Sequence, residues 1–495
     1  MGSTFSGYSI ATSGMNVNQN ALNTVSNNIS NIHTPGFSRK VLNSSEKVVV
    51  QTGRVSVENG VSVAEVRRAR DVLLDQTYRR HNGALGYWET KDTNLEEIQK
   101  TLNEFVVKDD DEVISDNGLQ QTVLEFFNIW SELSKDPGSQ ASRQSVIENA
   151  QVLLTAMQDI DEQLYQMQLD AVDQVKTSVA DLNDLARQIA ALNQKITQAE
   201  LGGVEAGDLR DERDTILDQM SGLTNLNVIE HDNGILEVNI GGIWLVNGGN
   251  TRQLKAFGDG STEHPLQVQW ADLGIDARIT SGSIKADMED ADQTGVEDIT
   301  TLPYDFSASS ISSMSNLRQG LNGLLTTIAT AVNDLHSSGV DQDGNPGLDF
   351  FVVADASRPL SLSNIQVNSA LAADPDLIVS SLTGAAGDNV IAEQIFNWQN
   401  EKNFSFNGLS TNMNGFYESL VSWVSTAGEN ADGYYSTKYA LVRQVDNERQ
   451  SISSVSLDEE MSKMIMYQNA YSASARVLST IDSLLEGLIY DLGSR

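Results

Sequence analysis

Along the first 32 residues, apolar positions alternate at spacings of three and four. Tyr8, Met15, Leu22 and Ile29 fall seven apart, Ala11, Val25 and Ile32 fill the complementary positions, and Asn18 is the polar entry. A single apolar stripe on a helix seeks a partner helix. The pattern predicts a helix that stops at Thr34-Pro35-Gly36, because Pro35 disfavours helical geometry at Thr34 and Gly36 permits a turn. Seven asparagines (16, 18, 20, 23, 27, 28, 31) are weak helix formers, so this helix depends on neighbours for its order. At the other end, residues 457–489 place Met461, Met464, Ile465, Tyr471, Val477, Leu478, Ile481, Leu484, Leu485, Leu488 and Ile489 on one broad face. Two amphipathic terminal helices predict that the chain's ends pack together.

Between them, the runs Val48-Val49-Val50 and Val55, Val57, Val61, Val63 predict short strands within 37–66. Helical patterns follow at 84–107 and 119–134, separated by Asp109-Asp110-Asp111-Glu112, read as a solvated loop. The longest periodic stretch is 141–199, where Ile147, Ala150, Leu154, Met157, Leu164, Ala171, Val175, Leu182, Leu185, Ile189, Leu192 and Ile196 share one stripe, with Asp161, Gln168 and Ser178 as polar exceptions. Such a helix would run on the order of 90 Å. From 227 the period switches to two, with Leu236, Val238, Ile240 and Leu266, Val268, Trp270 alternating between Gly and Asn punctuation, which predicts an antiparallel β insertion. The expected fold is mainly α, elongated and multi-domain. It comprises a terminal helical coiled coil (1–70 with 445–495), a long-helix bundle (71–225 with 310–444) and an inserted small antiparallel β domain (226–309).

Charge narrows the function. The chain has 32 basic against 68 acidic residues, a formal charge of −36, which argues against nucleic acid as a partner. Its one basic cluster, Arg67, Arg68, Arg70, Arg79 and Arg80, is interleaved with Glu65, Asp71 and Asp75 and reads as a solvated or inter-subunit helix face. No apolar run is long enough to span a membrane and no cleavable leader is evident, so export, if it occurs, leaves the N-terminus intact. Cysteine is absent, which removes disulfides, zinc–thiolate sites and thiol nucleophiles.

Candidate chemistry is sparse. No phosphate-binding loop, zinc-protease helix or nucleophile elbow occurs, and the five histidines (33, 81, 231, 264, 336) form no ligand-spaced pair. Asp341-Gln342-Asp343-Gly344-Asn345 imitates a calcium loop, but Pro346 stands where that loop needs Gly and Val352 where it needs Glu, so a tight turn is the better reading. Asp208, Asp211 and Glu212 beside Arg210 and Arg213 are read as intrahelical ion pairs. Catalytic, cofactor and metal sites are accordingly expected to be absent. The expected functional residues form an assembly interface: Tyr8, Ala11, Met15, Leu22, Val25, Ile29, Ile32, Met461, Met464, Tyr471, Leu478, Ile481 and Leu485.

The segment from Asn23 through Asn27, Asn28, Thr34, Pro35, Gly36, Phe37, Ser38 and Arg39 resembles the signature of the flagellar rod, hook and hook-associated proteins. Residues 455–461, Tyr467-Gln468-Asn469-Ala470-Tyr471 and the run 475–482 are similar to that superfamily's other end. Ser38-Arg39 after Pro-Gly-Phe, the ending Thr480-Ile481-Asp482 and the block 207–214 are similar to its hook-associated protein 1 branch. The resemblance implies a non-enzymatic structural subunit secreted by type III export, often with a chaperone on its C-terminal region. It implies a ring at the extracellular hook–filament junction between hook protein and hook-associated protein 3, with terminal helices innermost, the bundle in the middle and the β insertion outward. Another axial protein, of the hook or hook-associated protein 3 type, and a secreted hydrolase on a helical stalk are the competing readings.

Overall fold

The computed structural model describes residues 3–50, 56–102, 105–108, 111–114, 118–231, 234–293, 303–308, 312–385 and 387–493. In chain order, α1 (Ser3–Ser30) leads to a hairpin of β1 (Lys40–Val50) and β2 (Ser56–Arg68), then α2 (Val72–Leu102). A short hairpin, β3 (Phe105–Lys108) and β4 (Asp111–Ile114), precedes α3 (Leu119–Lys135), α4 (Gln140–Ala199) and α5 (Gly207–Leu223). Strands β5 (Asn227–Glu230), β6 (Leu236–Ile240), β7 (Ile243–Asn247) and β8 (Asn250–Thr251) form one antiparallel sheet; β9 (Leu254–Phe257) and β10 (Gln267–Trp270) form a separate hairpin. Next come α6 (Ser283–Asp290), β11 (Tyr304–Phe306), α7 (Ser313–Ser338), β12 (Phe351–Val352), β13 (Gln366–Val367), α8 (Ser369–Ala373) and α9 (Val390–Trp398). The chain closes with β14 (Phe404–Phe406), β15 (Leu409–Thr411), α10 (Met413–Ser453) and α11 (Leu457–Gly493). The fold is mainly α with small sheets.

These elements make two compact units. The first holds residues 1–83, 181–253 and 439–495, and the second 84–180 and 254–438. The strands expected over 226–309 are thereby divided, with β5–β8 in the first unit and β9–β10 in the second.

In the second unit, Phe126, Phe127 and Trp130 of α3 and Leu317, Leu321, Leu324 and Ile328 of α7 are fully buried with Met157 and Leu164 of α4. Phe404 stacks on Phe416, and Phe306 on Phe406, where β11 pairs in parallel with β14. Two of the three polar exceptions in the α4 stripe, Asp161 and Gln168, are explained here. Arg318 of α7 donates to both carboxylate oxygens of Asp161 (2.6 and 3.1 Å) and to Gln168 Oε1 (2.8 Å), so a charge inside the bundle is paired and hydrogen-bonded. His336 is buried, its Nδ1 2.6 Å from Leu348 O while its Nε2 accepts from Val379 N–H at 2.9 Å. Asp341 accepts from the backbone of Asp343 and Asn345 and from Asn345 Nδ2, which is the side-chain-stabilised turn its sequence suggested.

Two local readings differ. The helix predicted to reach 107 ends at Leu102, and 105–108 instead pairs with 111–114, a run of β-branched residues suited to a ladder. Of the acidic quartet, Asp111 and Glu112 lie in β4; residues 109 and 110 are outside the described residues.

Candidate assembly interface

The termini meet in the first unit. α1 and α11 run antiparallel: a side chain added at Gly7 would meet Ile481 at 3.4 Å, one at Gly14 would meet Ser474 at 3.3 Å, and Asn28 hydrogen-bonds Glu460 at 2.9 Å. Each pair sums to 488, so the register is constant. The seam on α1 is Gly7, Ala11, Gly14, Asn18, Ala21, Val25 and Asn28, again spaced four and three. It shares Ala11, Asn18 and Val25 with the predicted stripe, but its other half is shifted by one residue, and Ile32 lies half-buried in the turn beyond α1. Met15, Leu22 and Ile29 stand half-buried on its flank and Tyr8 is 41% exposed. Small residues let the two backbones approach, and a stripe chosen for apolar bulk misses them.

α11 divides its apolar residues between two seams. Tyr467, Tyr471, Ser474, Leu478, Ile481 and Leu485 are half-buried in phase with the α1 contacts. Met464 is also half-buried. A second alternation, Met466, Ala470, Ala473, Val477, Thr480 and Leu484, lies on a flank; Val477 is 51% and Leu484 60% exposed. Met461, expected at the assembly interface, is exposed as well, and so is Ile465.

The Pro-Gly-Phe-Ser-Arg segment ties α1 into this unit. Gly36 has φ +77°, and a Cβ there would lie 2.4 Å from Thr215 Oγ1 of α5, so both the turn and the close approach require glycine. Ser38 donates from its backbone N–H (2.8 Å) and its Oγ (2.7 Å) to the two oxygens of Asp211. Arg39 N–H donates to Ser453 O at the α10–α11 joint (2.8 Å), and its guanidinium lies 3.4 Å from Glu459. Asn28 is 1% exposed; its amide both accepts from and donates to the Lys40 backbone while reaching Glu460, itself 1% exposed. Asn27 is half-buried, and Thr34 and Pro35 are exposed beside half-buried Phe37.

Beneath this segment lies an ion network that corrects two sequence readings. Arg68, Arg70 and Arg79 do not form a solvated face. Arg68 pairs with Glu205 (2.9 Å), Asp211 (2.9 Å) and Asp214 (2.6 Å); Arg70 with Asp75 (2.7 Å) and Asp214 (3.1 Å); and Arg79 with Asp214 (3.1 Å) and Asp218 (2.8 Å). Arg449 of α10 closes the circuit on Asp218 (2.5 Å) and lies 4.0 Å from the Tyr78 ring centre. Nor are the charges of 207–214 paired along their own helix. Lys40 holds Asp208, Arg210 reaches Glu200 and Glu230, and buried Arg213 reaches Glu230, Asn193 Oδ1 and Gly234 O. Spacing within one helix cannot reveal partners that arrive from β2, α2, α4 and β5. Burial alone would raise the Asp214 carboxyl, but the guanidinium groups of Arg70, Arg68 and Arg79 outweigh it and hold it well below the usual carboxylate range.

A polar cleft beside the segment is lined by Asn31, Thr34, Phe37, Arg70, Asp218 and Arg449. Arg449 is committed to Asp218 and Arg70 to Asp75 and Asp214, so the cleft offers shape and hydrogen bonds in place of a poised acid or nucleophile. Among the described residues, no group of three or more His, Asp or Glu could hold a metal ion, and no helix is long and apolar enough to cross a membrane.

Sequence relatives agree with this arrangement. The model of the flagellar basal body rod protein family matches residues 9–37, that of the flagellar basal body rod FlgEFG protein C-terminal region matches 447–489, and that of the flagellar hook-associated protein FlgK helical domain matches 111–351. The first two matches are thus the segments that pack on each other here. The chain is similar to the flagellar rod, hook and hook-associated proteins. Within them it is similar to hook-associated protein 1. It is 29% identical to flagellar hook-associated protein 1 of Bacillus subtilis, over 100% of this chain and 99% of that protein, and 25% identical to the Salmonella typhimurium protein of the same name, over 97% and 98%. The fold is similar to that of the flagellar hook junction protein FlgK from Burkholderia pseudomallei (TM-score 0.61, 14% identity), covering 76% of this chain and 100% of that one.

Proposed function

We propose that this chain is a structural adaptor of the bacterial flagellum, standing at the hook–filament junction and assembling there as a ring through its terminal helices. The observation that carries the reading is the second seam of α11. Met466, Ala473, Val477 and Leu484 recur at heptad spacing on a flank that α1 leaves uncovered, and a heptad seam is an instruction to pack against another helix. α1 has no charged side chain over its 28 residues, so subunits carrying −36 each can approach there without apposing like charges. The names of the relatives supply the location. Hook protein on one side and hook-associated protein 3 on the other are the proposed neighbours, with an export chaperone on the C-terminal region before secretion. The terminal helices make the inner layer of that ring. The role is non-catalytic.

Replacing Val477 by Lys tests this. The side chain is exposed in the subunit, so folding should be unchanged within about 0.5 kcal/mol. Cells carrying the variant should export it normally yet shed filament subunits into the medium. Full-length filaments on those cells would refute the proposed use of this seam.

A further inference from the structure

In the second unit, the segment from α6 to Gln293 fastens several elements together. Tyr87 OH donates to Glu289 (2.7 Å); Lys91 Nζ reaches Asp290 (2.6 Å) and Glu289 (3.2 Å); and Asn94 Nδ2 donates to Asp290 (2.7 Å), all from α2. Gln168 of α4 and Ser315 of α7 both donate to Asp292 O, and Gln293 N–H donates to Gly260 O in the β9–β10 connection. Asp287 lies inside this fastening. It is 5% exposed, and its carboxylate accepts no hydrogen bond among the described residues.

The charges around Asp287 do not compensate it. From its own helix it faces Asp290, with Glu289 and Lys285 in the same cluster; Lys285 lies 3.3 Å from Glu289. From α2 it faces Lys91, which is already engaged by Asp290 and Glu289, while the Tyr87 phenol is turned to Glu289. α7 adds the hydroxyls of Ser312 and Ser315, both turned to backbone carbonyls of residues 290 and 292. An ionised Asp287 would therefore be a buried charge beside a like charge, without a partner of its own.

We propose that the 283–293 segment is a proton-operated clasp, closed on α2, α4 and α7 while Asp287 is protonated and loosened when Asp287 ionises. Burial, and then Asp290, push this carboxyl up to about 7 against the opposing pull of Lys91. In a released segment it would titrate at the ordinary 3.8. A carboxyl raised by docking favours the docked form fully below its free value, and that advantage is lost as pH rises to the docked value. The clasp should accordingly weaken about tenfold per pH unit between roughly 4 and 7 and change little above 7, with a ceiling near a thousandfold from the difference 7 − 3.8.

Amide exchange on the full chain, corrected for intrinsic rates, reads this directly. Between pH 5 and 7 the opening equilibrium of 283–293 should rise by about a hundredfold, while peptides from α3 change far less. Asp287→Asn, which keeps the shape of the protonated acid, should stay protected and flat across that range. A wild-type profile for 283–293 that is flat between pH 5 and 7 overturns the clasp by itself, as does a slope that persists in Asp287→Asn.

Discussion

Asp214 sits among three arginines that come from β2, the β2–α2 junction and α2. Removing its charge takes a shared counter-ion from three buried arginines, each of which keeps another carboxylate, and losing a hydrogen bond to a charged group typically costs about 1.5–3 kcal/mol. Asp214→Asn should therefore lower the denaturant midpoint sharply, while Asp208→Asn, whose carboxylate is exposed, should not. Because the Asp214 carboxyl is depressed in the fold, its contribution is present above the unfolded value near 4 and is lost as pH falls through the folded value. His336 shows the same dependence from a different cause. Burial, reinforced by Arg143 and opposed by the contact with Leu348 O, brings the imidazole down to about 4. Its stabilising effect is complete above about 6.5 and shrinks, by up to about 3 kcal/mol, as pH falls toward 4. Imidazole NMR should show this ring neutral at pH 5. A midpoint near 6.5 would mean the site is open to water.

At the scale of elements, adjacent residues of α11 answer different questions. Leu478 lies in the seam facing α1, whereas Val477 lies on the open flank. Leu478→Lys should loosen α1, seen as faster amide exchange over residues 8–32, with loss of junction assembly following from it. Val477→Lys should leave that exchange unchanged. Equal exchange in both variants would mean that the α1–α11 seam tolerates a charge. The broad apolar face read from the sequence was real, but its division was not legible. Helical spacing places Val477 and Leu478 only one step apart, and which of them is covered depends on where α1 lies.

For the molecule as a whole, the division into two units makes a further expectation. Five of the six tryptophans, 88, 130, 270, 398 and 423, belong to the second unit, whose core draws on α2, α3, α4, α7, α9 and α10. A chain lacking residues 1–39 should lose α1, Ser38 and Arg39, and with them its assembly. It should nevertheless keep most of its near-ultraviolet circular dichroism, since the aromatic core of the second unit uses none of those residues. Collapse of that signal would show that the second unit depends on the chain's N-terminal segment for its packing.

Periodicity alone determined the two terminal helices and the 60-residue α4 with its buried stripe, because each depends on residues near in sequence and on a repeat that a straight helix enforces, although α1 ends at Ser30, short of the stop expected at Thr34-Pro35-Gly36. The terminal signature determined the family resemblance for the same reason: its residues are contiguous. Tertiary structure decided what joins distant segments. Asp211 and Asp214 meet Arg68 across more than 140 residues, Asn28 meets Glu460 across 432, and a glycine and alanine seam displaces the bulkier stripe on α1. Charge pairing and close backbone approach act at a few ångströms whatever the distance along the chain. No period in the sequence encodes which partner arrives, and only the folded arrangement of β2, α5, α10 and α11 does.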